Sequence, residues 1–175
     1  MKIKIIKTKN FILRPYRLND APAIAKILNN RRVSRWLESV FYPYKLEDAK
    51  KRINRAIREN KKSQPKTIIL VIEIDGQPSG VIGFSNIVHG HMLELGYWLK
   101  PAYWGKGIMS EVIKTACYYA FREFKIRRIQ AEIFVGNIGS EKVLLKNGFV
   151  HEGLKRKSAR KNNRFFDCNM FAKIR

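Results

Sequence analysis

The stretch from Leu93 to Phe124 constrains this chain more than any other. Leu93, Leu95, Tyr97 and Leu99 alternate with Glu94, Gly96 and Trp98, a period of two that defines a strand with two distinct faces. Pro101 cannot continue that strand. Gly105 and Gly107 follow, and from Ile108 the residues Val112, Ile113, Ala116, Ala120 and Phe124 recur at helical spacing. A strand therefore runs through a glycine turn into a long helix, which commits the fold to a sheet with a helix laid on it. The first N–H groups of such a helix have no intrahelical acceptor, and its dipole favours an anion at that end. Each charge–dipole contribution is only about 0.3–1 kcal/mol, so firm anion binding needs several N–H donors on one pyrophosphate. The spacing is not a P-loop, because no Gly-Lys-Ser/Thr follows, and it is not a dinucleotide fingerprint, because the third glycine is missing.

The rest of the chain predicts a mixed sheet around this unit. Phe11–Leu13 reads as a first strand ended by Arg14-Pro15, and Asn19, Asp20 and Pro22 announce a helix carrying Ala23, Ile24, Ile27 and Leu28. Arg31–Trp36 reads as a short helix, residues 39–44 as an aromatic loop, and Leu46–Asn60 as a very basic helix with Ala49, Ile53, Ala56 and Ile57 as its apolar stripe. Thr67–Ile74 is β-branched and apolar, and Asp75-Gly76 is a hairpin signal before Val81–Phe84. Ile129–Val135 alternates as a strand, Ser140–Lys146 is a short helix stopped by Asn147-Gly148, and two strands around a basic turn close the chain. Strands joined partly by hairpins and partly by crossover helices give an α+β protein: one domain over residues 1–175, with a mixed, mostly antiparallel sheet of about seven strands.

Composition narrows the surroundings. Lys and Arg number 36 against 14 acidic residues, a net charge of +22 that attracts phosphates, nucleic acid or acidic proteins. Cys117 and Cys168 show no disulfide framework and no CxxC pair, so a reducing compartment is expected. The opening Met1–Lys7 is interrupted by lysines and lacks the apolar core of a signal peptide, and no run reaches membrane-spanning length. The expected location is the cytoplasm, away from membranes. His89 and His91 lie in a turn-prone stretch without a third ligand nearby, so no metal site is expected.

Taken alone, Gly-x-Gly before a helix also describes an ordinary strand-to-helix turn. Other segments add to it. Glu94–Leu99, Pro-x-Tyr-Trp-Gly-Lys-Gly over 101–107, Asn137-Ile138-Gly139-Ser140, and Lys146-Asn147-Gly148-Phe149 occur in order, and with Leu13-Arg14-Pro15 and the closing strands the matching segments reach across almost the whole chain. Together they resemble the GNAT N-acetyltransferase superfamily, and within it the Rim-type branch of ribosomal-protein N-terminal acetyltransferases. The superfamily writes its acetyl-CoA motif Arg/Gln-x-x-Gly-x-Gly/Ala. Here Trp104 stands in the first place, Gly107 in the central one and Met109 in the last, so only Gly107 matches strictly.

The resemblance implies a GNAT fold, an acetyl-CoA co-substrate and a site. Trp98 and Leu99 would pair by backbone with the pantetheine amides. Trp104, Gly105, Lys106, Gly107, Ile108, Met109 and Ser110 would hold the pyrophosphate, and Asn137 the pantetheine arm. Glu94 would serve as general base, directly or through water, and Ser140 as general acid for the leaving thiolate, where many members instead have a tyrosine at the position of Leu144. Without the resemblance Glu94 is also readable as a surface glutamate, and Ser140 as a helix cap. The amine would attack the thioester directly, with backbone N–H groups of the fourth strand facing the developing oxyanion. Trp36, Phe41, Tyr42 and Tyr44 are candidates for the acceptor site or, equally, for core packing.

Acceptor chemistry follows from amine basicity. At pH 7 roughly a tenth of an α-amine is neutral, against well under a thousandth of a lysine side chain. A protein N-terminus, ribosomal in the Rim-type reading, therefore needs the least help. Basic runs at 45–62 and 155–164 suit ribosomal RNA as well as a merely basic enzyme. The alternatives are acetylation of a polyamine or aminoglycoside, which the charge of +22 would repel, and a non-catalytic ribosome- or RNA-binding protein of the same fold. A monomer or a homodimer is expected.

Overall fold

The computed structural model describes residues 4–175; Met1, Lys2 and Ile3 of the lysine-broken opening lie outside the described residues. In chain order the elements are β1 (Ile6–Lys7), β2 (Ile12–Pro15), α1 (Ala21–Leu28), α2 (Arg31–Ser34), α3 (Leu46–Asn60), β3 (Ile68–Ile74), β4 (Gln77–Val88), β5 (Met92–Leu99), α4 (Ile108–Glu123), β6 (Arg128–Phe134), α5 (Ile138–Lys146), β7 (Val150–Lys161) and β8 (Arg164–Ile174). The strands form one sheet in the order β1-β2-β3-β4-β5-β6-β8-β7. Every neighbouring pair is antiparallel except β5–β6. The α+β expectation holds. The sheet has eight strands rather than about seven because Ile6–Lys7, too short for a periodic signal, adds an edge beside β2.

Two cores cover the two faces of the sheet. Ile68, Leu70 and Ile72 of β3 and Leu93, Leu95 and Leu99 of β5 pack with Val112, Ile113 and Ala116 of α4. Val71 and Trp98, one residue out of phase, pack with Ile24 and Leu28 of α1 and Ala49 and Ile53 of α3. A strand buried on both sides reads as a continuous apolar run, which explains the composition of β3. Gly80, opposite Leu99, lets β4 approach β5 closely: a Cβ there would meet the Trp98 carbonyl oxygen at 2.6 Å.

Asp20 precedes α1 as expected, yet its carboxylate does not cap that helix. It accepts two hydrogen bonds at 2.8 Å from the buried Arg14 guanidinium and one from the Arg17 amide at 2.7 Å. Arg14 Nε also donates to Glu73 of β3 at 2.5 Å. One guanidinium thus joins β2, the entry to α1 and β3. Among the described residues no helix is long and apolar enough to cross a membrane.

Candidate active site

The parallel strands β5 and β6 part company. Their pairing runs Met92↔Arg128, Leu93↔Ile129 and Glu94↔Gln130, and then stops, although β5 continues to Leu99 and β6 to Phe134. Beyond Glu94 the edge of β5 that faces β6 is open. That open edge leads directly into the glycine turn.

The turn is held by its neighbours and leaves its own amides free. Trp104 donates its indole N–H to the Leu99 carbonyl at 2.8 Å, tying the turn to the end of β5. Gly105 and Gly107 have φ of +75° and +76°, and a Cβ at either would meet nothing within 4 Å, so these glycines are set by backbone conformation with open space around them. Gly107 is the N-cap of α4, and its carbonyl accepts from Glu111 N–H. Among the described residues the N–H groups from Gly105 to Ser110 find no acceptor. Six amides beside an open strand edge suit a diphosphate, and exposed Lys106, its ammonium 5.7 Å from the Tyr103 ring centre, adds charge. Met109 is buried in the core, so it contributes backbone and anchors the first helical turn.

On the opposite side of the splay sits α5. The short helix begins at Ile138, two residues before the expected start, because Asn137 is its N-cap and accepts from the Ser140 N–H at 3.3 Å. The capping role considered for Ser140 therefore belongs to Asn137, whose amide nitrogen remains a donor. Tyr97 of β5 donates its hydroxyl across the gap to the Ser140 carbonyl at 3.3 Å. Burial pushes the Tyr97 phenol above its ordinary value, so it stays a donor. Asn147, at the end of α5, donates to the Ser110 hydroxyl at 3.0 Å and so ties α5 to the start of α4. Neither Tyr97 nor Asn147 was singled out from sequence, since both act through contacts distant along the chain.

Glu94, Gly96 and Trp98 share one face of β5, as alternation predicts. Trp98 is buried in the core beside α1 and α3, and its backbone pairs with Val81 of β4, so on the open edge of β5 it is Leu99 whose backbone is turned toward a ligand. Glu94 is partly buried and accepts from Asn86 Nδ2 at 3.1 Å. Asn86 has φ +50° and lies where the β4–β5 register shifts. Asparagine tolerates this left-handed conformation, and the bulge aims its amide at Glu94. On β6, Glu132 is ion-paired with Lys155 of β7 and holds that ammonium above its ordinary pKa.

The four acceptor-site candidates separate. Tyr44 is buried in the core of α1 and α3 at 7% exposure and leaves almost no surface for an acceptor. Trp36 is half-buried against Phe134, Ala159 and Cys168. Phe41 and Tyr42 are exposed. Tyr42 lines a cleft of about 700 Å³ between α2 and the β7–β8 turn, together with Arg31, Arg35 and Arg164. Nothing in the sequence joins Arg164 to the other three, which lie more than a hundred positions earlier. Lys161, read from sequence as one of a basic surface run, is buried here and donates to the carbonyls of Ser34 and Leu37. His89 stands edge-on to Phe124 at 5.7 Å, and no cluster of three or more potential metal ligands occurs among the described residues.

A sheet that splays beside a helix-opening glycine turn defines a class, and comparison places the chain in it. The model of the acetyltransferase (GNAT) domain matches residues 10–150, and the chain belongs to this family of acetyltransferases. The probable N-acetyltransferase YjcK of Bacillus subtilis (strain 168) is 30% identical over 173 residues, covering 96% of this chain and 96% of that relative. The ribosomal-protein-serine acetyltransferase of Escherichia coli (strain K12) is 28% identical over 129 residues, covering 73% of this chain and 71% of its own. Among solved structures, RimL, a ribosomal L7/L12 alpha-N-protein acetyltransferase in complex with coenzyme A, shares the fold with a TM-score of 0.87 at 24% identity over 98% of each chain.

Proposed function

We propose that this protein transfers the acetyl group of acetyl-CoA to the N-terminal α-amine of a protein. The observation that carries the reading is the run of unpaired amides from Gly105 to Ser110, set where β5 splays from β6. These amides and Lys106 bind the diphosphate, the open edge of β5 at Leu99 takes the pantetheine amides, and Asn137 donates to the arm. The bound thioester supplies an activated acetyl carbonyl. Glu94, oriented by Asn86, removes the amine proton, directly or through water. Ser140, at the first turn of α5 opposite β5, protonates the departing sulfur. An α-amine is already partly neutral at pH 7, so a single carboxylate is base enough. The similarity to ribosomal-protein acetyltransferases supports a protein acceptor, and the basic face of α3 suits a docking surface on the ribosome.

Acetyl-CoA should bind with micromolar affinity by calorimetry, and a labelled-acetyl panel of peptides and small amines should single out peptide α-amines. Glu94→Gln should lower kcat about a hundredfold or more at pH 7 with acetyl-CoA affinity kept. That deficit should shrink toward pH 9, where the amine is neutral unaided. Ser140→Ala should slow turnover with the same affinity. Full activity in both variants removes the assigned roles, and acetylation confined to lysine side chains or polyamines overturns the acceptor.

A further inference from the structure

The charged residues that line the cleft between α2 and the β7–β8 turn are all cations. Arg31, Arg35, Lys161 and Arg164 line it with the rings of Tyr42 and Phe166, and no carboxylate is among its lining residues. Among the described residues Arg31, Arg35 and Arg164 form no ion pair. The Arg31 guanidinium lies 4.3 Å over the Tyr42 ring and Arg35 lies 4.4 Å over Trp36. Stacking fixes a guanidinium plane and leaves its N–H edge free for an oxygen acceptor. Lys161 is only 8% exposed, and two backbone carbonyls take two of its three donors. Burial lowers its pKa, the mark of a cation short of compensating charge. An anion entering the cleft offsets that shortage.

The cleft adjoins the reacting end of the site. Phe166 stacks on Phe134, the last residue of β6, at 5.1 Å. Trp36, under Arg35, reaches 4.0 Å from where a Cβ of Gly136 would sit, and Asn137 follows. Arg32 of α2 stands 5.2 Å over Trp104, so the same short helix borders the cofactor turn. A free ammonium approaching this region is repelled unless it brings negative charge with it.

We propose that the cleft selects acceptor polypeptides carrying carboxylates in the first few residues after the reactive amine. This rests on the α-amine reading above. An extended chain advances roughly 3.3–3.6 Å per residue, so the second to fourth residues of an acceptor span a cleft of this size.

The test uses the full chain, acetyl-CoA and three peptides that begin with the same serine and carry glutamate, alanine or lysine at positions two to four. The acidic peptide should show a kcat/KM roughly tenfold or more above the neutral one, with the ratio falling as salt rises. Arg31→Gln combined with Arg164→Gln should raise KM for the acidic peptide roughly tenfold and bring the ratio toward one. Lys26→Gln, which removes one exposed charge on α1, should leave the ratio in place. Equal kcat/KM for acidic and neutral peptides, or a preference for the basic one, overturns the inference and leaves the α-amine reading intact. No N-terminal acetylation of any peptide, with a small amine acetylated instead, overturns both.

Discussion

Trp104 occupies the place where the family motif carries arginine or glutamine, and its contacts show what replaces that side chain. Its indole N–H closes on the Leu99 carbonyl at 2.8 Å, and Arg32 covers its ring. The position therefore fixes the turn against β5 from inside the chain, and under the proposed function the anion is left to the backbone amides and Lys106. Trp104→Phe keeps the ring and removes the donor. A neutral hydrogen bond contributes about 0.5–1.5 kcal/mol net, so the acetyl-CoA dissociation constant should rise roughly twofold to tenfold by calorimetry. An unchanged constant would mean that the two glycines hold the turn without the indole.

At the scale of elements, Arg14 is the joint that matters most. It is 3% exposed and holds Asp20 with two bonds and Glu73 with a third, so three elements meet at one guanidinium. Arg14→Met keeps the volume, leaves the buried Asp20 carboxylate without its cation, and leaves Glu73 with only the exposed Arg17 at 4.0 Å. Breaking a buried pair from one side costs about 3–5 kcal/mol, and the urea midpoint should fall accordingly; a loss below about 1 kcal/mol would show that Asp20 and Glu73 find other partners. Neither partner of Arg14 was visible beforehand, because Asp20 has the composition of a helix cap and Glu73 lies 59 residues away. The same division runs through the whole fold. Local patterns were legible: Leu46–Asn60 as a helix, Asp75-Gly76 as a hairpin turn, and the two faces of β5, which the cores reproduce. What depends on long-range register was not. The splay of β5 from β6, the Tyr97–Ser140 bridge and the cleft shared by Arg31 and Arg164 come from pairings no local periodicity encodes. Tyr44 illustrates the limit, since an aromatic beside exposed Phe41 and Tyr42 gives no local sign of being core.

For the molecule as a whole, two effects of alkaline pH compete. The net charge of +22 means that deprotonating lysines near pH 10.4 relieves self-repulsion, which favours the fold. Against this stand buried neutral acids. Burial pushes the Cys117 thiol from 9.0 up to about 12, and raises the phenols of Tyr16, Tyr44, Tyr97 and Tyr119. A folded-state pKa raised above the unfolded value gives stability that is fully present below the unfolded value and is lost as pH climbs toward the folded one. For Cys117 the loss begins near pH 9 and amounts to roughly 2 kcal/mol by pH 10.5, with the tyrosines adding in the same direction. The opposing relief comes from exposed charges that salt screens over about 10 Å at 0.1 M, and exposed pairs are worth about 0–1 kcal/mol each. The buried acids should therefore win. The urea midpoint should be lower at pH 10.5 than at pH 8, and Cys117→Ala should flatten the decline between pH 9 and 10, before the tyrosines contribute. A midpoint that holds or rises over this range would show that charge relief dominates and that the thiol is reached by solvent.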